Sequence, residues 1–216
     1  MPKVCAYCGT PVSGTERDHV VPRCLYSPSG PGPGVQLLTV PVCRSCNSSF
    51  HDDEEHFRNF IVVGGGQTAA VVDELFQGKV LRSLRAKGRG RRGKLQWLLD
   101  RMREEHTPAG TEVRVYPDER VLRVVRKIIR GLGFHHFGQP LPDDCVSTEV
   151  LQFSVPDNLL DSPQWHDLDA DVFRYVYEVG AGPGALESLW LMAIYRNRHF
   201  FGQIGAHRDN SLPQRR

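Results

Sequence analysis

Cys5 and Cys8, then Cys43 and Cys46, form two C-x-x-C pairs, and the dipeptide Asp18-His19 lies between them. Each pair can grip one side of a tetrahedral ion, so together they supply the four thiolates of a structural Zn2+ site. Four protein ligands leave no coordination position for a substrate, so such an ion builds the fold and does no chemistry itself. The alternative is two unrelated thiol pairs, or a redox pair. Chemistry then falls to the residues the ion would hold in place: Asp18, His19 and the polar side chains just past Cys46. A histidine titrates near neutrality and can take a proton from water. A hard oxygen ligand beside it can hold Mg2+ or a similar ion, which keeps positions open for phosphate and water. Successive strand residues point to opposite faces, so Asp18 and His19 meet one target only where the strand is distorted.

The elements that must position these residues are short. Cys5 to Gly9 reads as a tight knuckle, and Val20-Val21-Pro22 as a short strand and its end. Pro28 to Gly34 is a flexible loop, and Val35 to Val42 the return strand. From Asn47 the pattern turns helical: Phe50, Phe57 and Ile61 form an apolar stripe, while Asn47, His51 and Glu54 or Glu55 recur on another face. Asn47 also suits a helix N-cap, and His51 a solvent-facing position. Glu54 reads as a solvated helix acid; Glu55 reads equally as that or as an extension of a metal site.

Further along, Gln67–Arg85, Lys94–His106 and Asp118–Leu132 read as helices, with Gly131 and Gly133 closing the last. Thr111–Tyr116, Thr148–Val155, Val172–Val179 and Ser188–Ile204 read as strands, the last two paired across the glycine-rich turn at Gly180–Gly184. Trp165, Phe173, Tyr175, Trp190 and Tyr195 are the aromatic candidates for a second core. The fold class is therefore α+β. Its divisions fall at 1–63, a cysteine-bearing unit, 64–110, a helical basic linker region, and 111–216, an α+β region of helices and antiparallel sheet with no assigned role.

The ordered set C-A-Y-C-G, D-H-V-V-P and V-C-R-S-C-N resembles the HNH endonucleases, whose core is a zinc-stapled ββα-metal unit. The likeness covers roughly the first quarter to third of the chain. It implies that His19 is the general base and that Asp18 binds a catalytic Mg2+ or Mn2+. It implies that Asn47 is a second metal ligand, and that His51 occupies a position where some members place a further one. The middle Asn of that family's pattern has no counterpart, because Leu37-Leu38-Thr39-Val40-Pro41 stands in its place. Backbone groups or Thr39 would have to orient the base instead. The activity implied is hydrolysis of DNA phosphodiester bonds, one strand nicked per site, with RNA left open as substrate. The alternative is a zinc-stabilised, non-catalytic nucleic-acid-binding module; a third is a protein-interaction domain.

Composition sets the remaining bounds. The chain has a net charge of +2, 40% hydrophobic and 24% charged residues, as in a soluble globular protein. Arg82, Arg85, Lys87, Arg89, Arg91, Arg92 and Lys94 follow one another without an acid between them. Such a run is either a solvated linker or a surface for phosphate backbones, giving affinity without base specificity. No apolar run is long enough for a membrane span and no secretory leader is recognisable, so a cytoplasmic setting is expected. The oligomeric state is not legible.

Overall fold

The computed structural model describes residues 3–12, 14, 16–64, 69–85, 89–107, 110–150, 164–169, 171–180, 187–196 and 198–205. The architecture is mixed α+β, with helices and antiparallel sheets. Near the N-terminus β1 (Arg17–His19) pairs with β2 (Thr39–Pro41), setting Asp18 opposite Val40 and His19 opposite Thr39. The first strand lies just before Val20-Val21-Pro22, where a strand was expected, and the second is shorter than the expected Val35–Val42. Val20 still donates its N–H to the Leu38 carbonyl at 3.0 Å, and Val20 and Val21 are buried, 0% and 3% exposed.

Helix α1 (Arg44–Ser49) and helix α2 (His51–Val63) follow, separated only by Phe50. The helical stretch thus starts before Asn47, and Cys43, not Asn47, stands at its N-cap. Next come α3 (Ala70–Leu75), a π-helical turn over Phe76–Val80, and α4 (Leu81–Arg85), close to the single helix expected there. Helix α5 (Arg89–Asp100) runs into the glycine-rich basic segment that was expected to resist helix. Packing overrides propensity here: Leu98 is buried, and the Trp97 ring meets the His56 ring at 3.9 Å. That helix stops at Asp100. Met102–His106, expected to be helical, instead belongs to β3 (Met102–Thr107), which pairs with β4 (Gly110–Val115). A cross-strand ion pair between Glu105 and Arg114, at 3.0 Å, supports this hairpin.

Helix α6 (Glu119–Phe137) is the longest element and the centre of the molecule. The Asp118 side chain caps it by accepting from the Val121 N–H at 3.1 Å. It runs through Gly131 and Gly133, expected as its end, and stops at Gly138, which takes the left-handed conformation at φ +70°. Val121, Val124, Val125, Ile128, Ile129 and Leu132 are all buried, each contributing about 1.5–3 kcal/mol by removal from water.

The last layer is a five-stranded antiparallel sheet in the order β5 (Val146–Val150), β9 (Arg198–Ile204), β8 (Ser188–Ile194), β7 (Phe173–Val179), β6 (His166–Asp169). The pairing of Val172–Val179 with the next strand is as expected; residues 181–186 of its turn, 151–155 of the strand expected after Thr148, and the tail after 205 lie outside the described residues. The stretch Ser188–Ile204 is two strands, not one. They fold back at Tyr195 and Arg196, which adopt φ values of +48° and +69° without any glycine to announce a turn. The Tyr195 hydroxyl donates to the Leu25 carbonyl at 2.5 Å and Arg196 pairs with Asp171, which hold that turn. Phe173, Tyr175, Trp190 and Tyr195 are buried as expected; Trp165 is half-buried, with Arg174 over its ring.

Glycines let α6 approach its neighbours closely. A Cβ at Gly202 of β9 would fall 2.0 Å from Ile129, and one at Gly131 would fall 2.9 Å from Val20, just past His19. The buried apolar core is accordingly continuous from Cys5 to Ile204. Among the described residues no helix is long and apolar enough to cross a membrane.

Candidate functional site

The first C-x-x-C forms its knuckle by local hydrogen bonds. Cys5 N–H donates to the Thr10 carbonyl at 2.8 Å and Gly9 N–H to the Cys5 carbonyl at 2.9 Å, with Gly9 at φ +73°. The second is made by a helix start: Cys43 is extended at the N-cap and Cys46 lies in the first turn of α1. Ala6 N–H donates to the Pro41 carbonyl at 2.9 Å, joining the knuckle to β2.

This brings the four sulfurs within 4.8 Å of one another, all as free thiols. The Sγ atoms of Cys8 and Cys43 are 3.7 Å apart. Thiolates about 2.3 Å from a tetrahedral zinc stand about 3.8 Å from each other, so the spacing and the soft donor set fit zinc. The Cys46 backbone N–H holds the Cys43 thiol down at about 6, and the Thr10 hydroxyl lowers that of Cys8. Burial and the neighbouring sulfurs push Cys46 up. Anionic sulfurs crowded together repel, and a bound cation resolves that repulsion.

Asp18 and His19 lie at the end of β1. Asp18 Oδ2 accepts from the Tyr7 hydroxyl at 2.8 Å and pairs with Lys127 Nζ of α6, also at 2.8 Å. Lys127 is fully buried; it donates further to the His19 carbonyl at 3.0 Å and to Glu54 Oε1 of α2. Its three N–H donors are thus met by three acceptors from two other elements. Burial pushes the Glu54 carboxyl up, against the pull of Lys127. Burial also pushes the His19 pKa down; Asp18 opposes this, while Arg23 and Lys127 add to it. His19 is therefore held neutral at neutral pH, the form that accepts a proton.

The structure gathers Asp18, Glu54, Tyr7 and the backbone carbonyl of His19 around Lys127. The register of β1 with β2 is unbroken, so the His19 side chain points to the face opposite that of Asp18. Asn47 is left exposed on α1 and His51 exposed at the start of α2. Thr39, the candidate for orienting the base, is engaged by Arg17, whose Nε and Nη2 donate to its hydroxyl and carbonyl at 2.7 and 2.6 Å. Among the described residues, the cysteines are the group of His, Cys, Asp or Glu side chains gathered closely enough to share an ion; Asp18, Glu54 and His51 are not such a group. As arranged, the oxygens do not fit a divalent cation, because Asp18 and Glu54 each turn an oxygen to the ammonium.

Of the basic run, Arg82 is exposed and donates to the Gly78 carbonyl at 2.7 Å. Lys94 is paired with Glu55 at 2.8 Å, and Ser83 donates to the same oxygen. The Arg85, Lys87, Arg89, Arg91 and Arg92 side chains lie outside the described residues.

The sequence reading missed Lys127 altogether and placed Glu54 on a solvated face. One signal for Lys127 is present: Gly131 follows it by one helical turn on the same face, and a mid-helix glycine marks a close approach. Arg130, on the same helix, donates from Nε to the Leu141 carbonyl at 2.6 Å and from Nη2 to the Tyr7 carbonyl inside the knuckle. No protein-family model matches the chain, nor does any curated protein or solved structure.

Proposed function

We propose that the chain is an HNH-type endonuclease that hydrolyses DNA phosphodiester bonds and nicks one strand per site. The observation that carries this reading is His19: an imidazole biased to its neutral form, following Asp18 in sequence on a hairpin whose neighbouring thiols fit zinc. Neutral His19 takes a proton from water, the water oxygen attacks phosphorus, and the bond to the leaving sugar oxygen breaks as that oxygen acquires a proton. Mg2+ or Mn2+ at Asp18, with Asn47 and His51, belongs to the same proposal and rests on the sequence resemblance. So does nucleic-acid contact by the basic run. RNA is the competing substrate.

A second reading, a zinc-stabilised nucleic-acid-binding module without catalysis, is favoured by one feature: the Asp18 carboxylate already has Lys127 and Tyr7 as partners. One experiment separates the two. Supercoiled plasmid is incubated with zinc-loaded protein and Mg2+ or Mn2+. The nuclease reading expects open-circular product from wild type and a loss of at least about 100-fold in His19→Ala, the scale of general-base catalysis. Equal nicking by both proteins removes His19 from the base role. A salt-sensitive gel shift without nicking under either ion leaves the binding module.

A further inference from the structure

Beside Asp18, where the nuclease reading calls for a cation, the chain supplies one of its own. The Lys127 ammonium is 2.8 Å from Asp18 Oδ2, reaches Glu54 Oε1 and the His19 carbonyl, and is 0% exposed. An ammonium so buried needs close anionic and carbonyl partners to offset its lost hydration, and Lys127 has three. A second positive ion placed on the same Asp18 oxygen would meet the ammonium within a few ångströms, in surroundings that screen poorly.

We propose that Lys127 is the resident counter-ion of this site, so that a divalent cation reaches Asp18 only by competing with its ammonium. Lys127 is a positioning residue, since it has no exposed surface with which to touch a substrate. Glu54 makes the exchange feasible: when an ion takes Asp18, the ammonium keeps Glu54 and the His19 carbonyl as partners. The cluster formally carries one net negative charge, from two carboxylates and one ammonium. The competition does not depend on the nuclease reading.

The test is Mn2+ titration of the zinc-loaded full-length protein, with free Mn2+ read by electron paramagnetic resonance. Lys127→Met is expected to bind Mn2+ at least tenfold more tightly than wild type, and the double variant Asp18→Asn/Lys127→Met to lose that gain. Unchanged or weaker binding in Lys127→Met overturns the proposal, as does a gain that survives the loss of Asp18. Lys127→Met leaves two carboxylates without their ammonium; should it not fold, Lys127→Leu/Glu54→Leu takes its place. That pair removes the lysine with one of its two carboxylates and leaves Asp18 with Tyr7; it is expected to bind Mn2+ more tightly than wild type, and no gain there overturns the proposal equally. Plasmid nicking is not read in this titration, so failure of the nuclease reading and failure of the competition are separate results.

Discussion

Two anionic clusters stand beside the same short hairpin. In one, four thiols lie within 4.8 Å of each other, and their described partners are the Thr10 hydroxyl, backbone N–H groups and one another. In the other, the Asp18 and Glu54 carboxylates converge on Lys127, delivered by a helix far along the chain, 73 residues after Glu54. The first cluster could take a cation only from solution, whereas the second is completed by the chain itself. Local sequence therefore announces the first, and only tertiary structure reveals the second. Softness sorts them further: thiolates select zinc, while hard carboxylates accept an ammonium or a hydrated divalent ion.

The largest effect expected from this contrast is on zinc removal. A structural zinc site of this kind is worth about 10 kcal/mol of binding free energy that appears as folding. Chelation, or Cys43→Ser with Cys46→Ser, is expected to abolish amide-exchange protection of β1 and β2. Protection that survives in metal-free protein would show that the thiols are not a zinc staple.

Next in size is Lys127→Ala, which strands two partly buried carboxylates and is expected to cost about 3–5 kcal/mol in urea denaturation. Lys127→Leu/Glu54→Leu is expected to be milder, because it strands one carboxylate, Asp18, instead of two. Equal losses in the two variants would mean that packing, and not charge, sets the role of the lysine.

The smallest expected effect is on pH dependence and lies outside both clusters. Helices α2 and α6 also meet where His56 Nε2 lies 3.2 Å from Asp118. Burial holds the His56 pKa below the ordinary 6.5, outweighing the attraction of Asp118. The unfolded chain therefore binds the proton more readily, and stability present above pH 6.5 is lost as pH falls toward the lowered folded value. His56→Gln is expected to flatten that slope without changing zinc content. A slope unchanged in the variant would assign the acid sensitivity elsewhere.

The thiol cluster was legible because both C-x-x-C pairs are short and local. The turn at Tyr195–Arg196 was not, since neither residue signals a left-handed backbone; the packing against Leu25 and the Asp171 pair impose it. Met102–His106 was misread because Met102 is its single apolar residue, so it carries no period of its own, and pairing with β4 decides. Gly131 was taken as a terminator from its type alone, although its actual role is to admit Val20 against the helix. Asp18 and His19 were singled out from their place between the cysteine pairs, but the lysine that engages Asp18 and the His19 carbonyl is distant in sequence and chemically ordinary.

On α6, Arg130 reaches the Tyr7 carbonyl in the first knuckle, and Lys127, three residues earlier, secures the hairpin. A recombination event that transplanted only the cysteine-bearing segment into another gene would leave the knuckle without its guanidinium and Asp18 without its ammonium. This segment is thus no interchangeable cassette, and the two halves of the gene have to be inherited together.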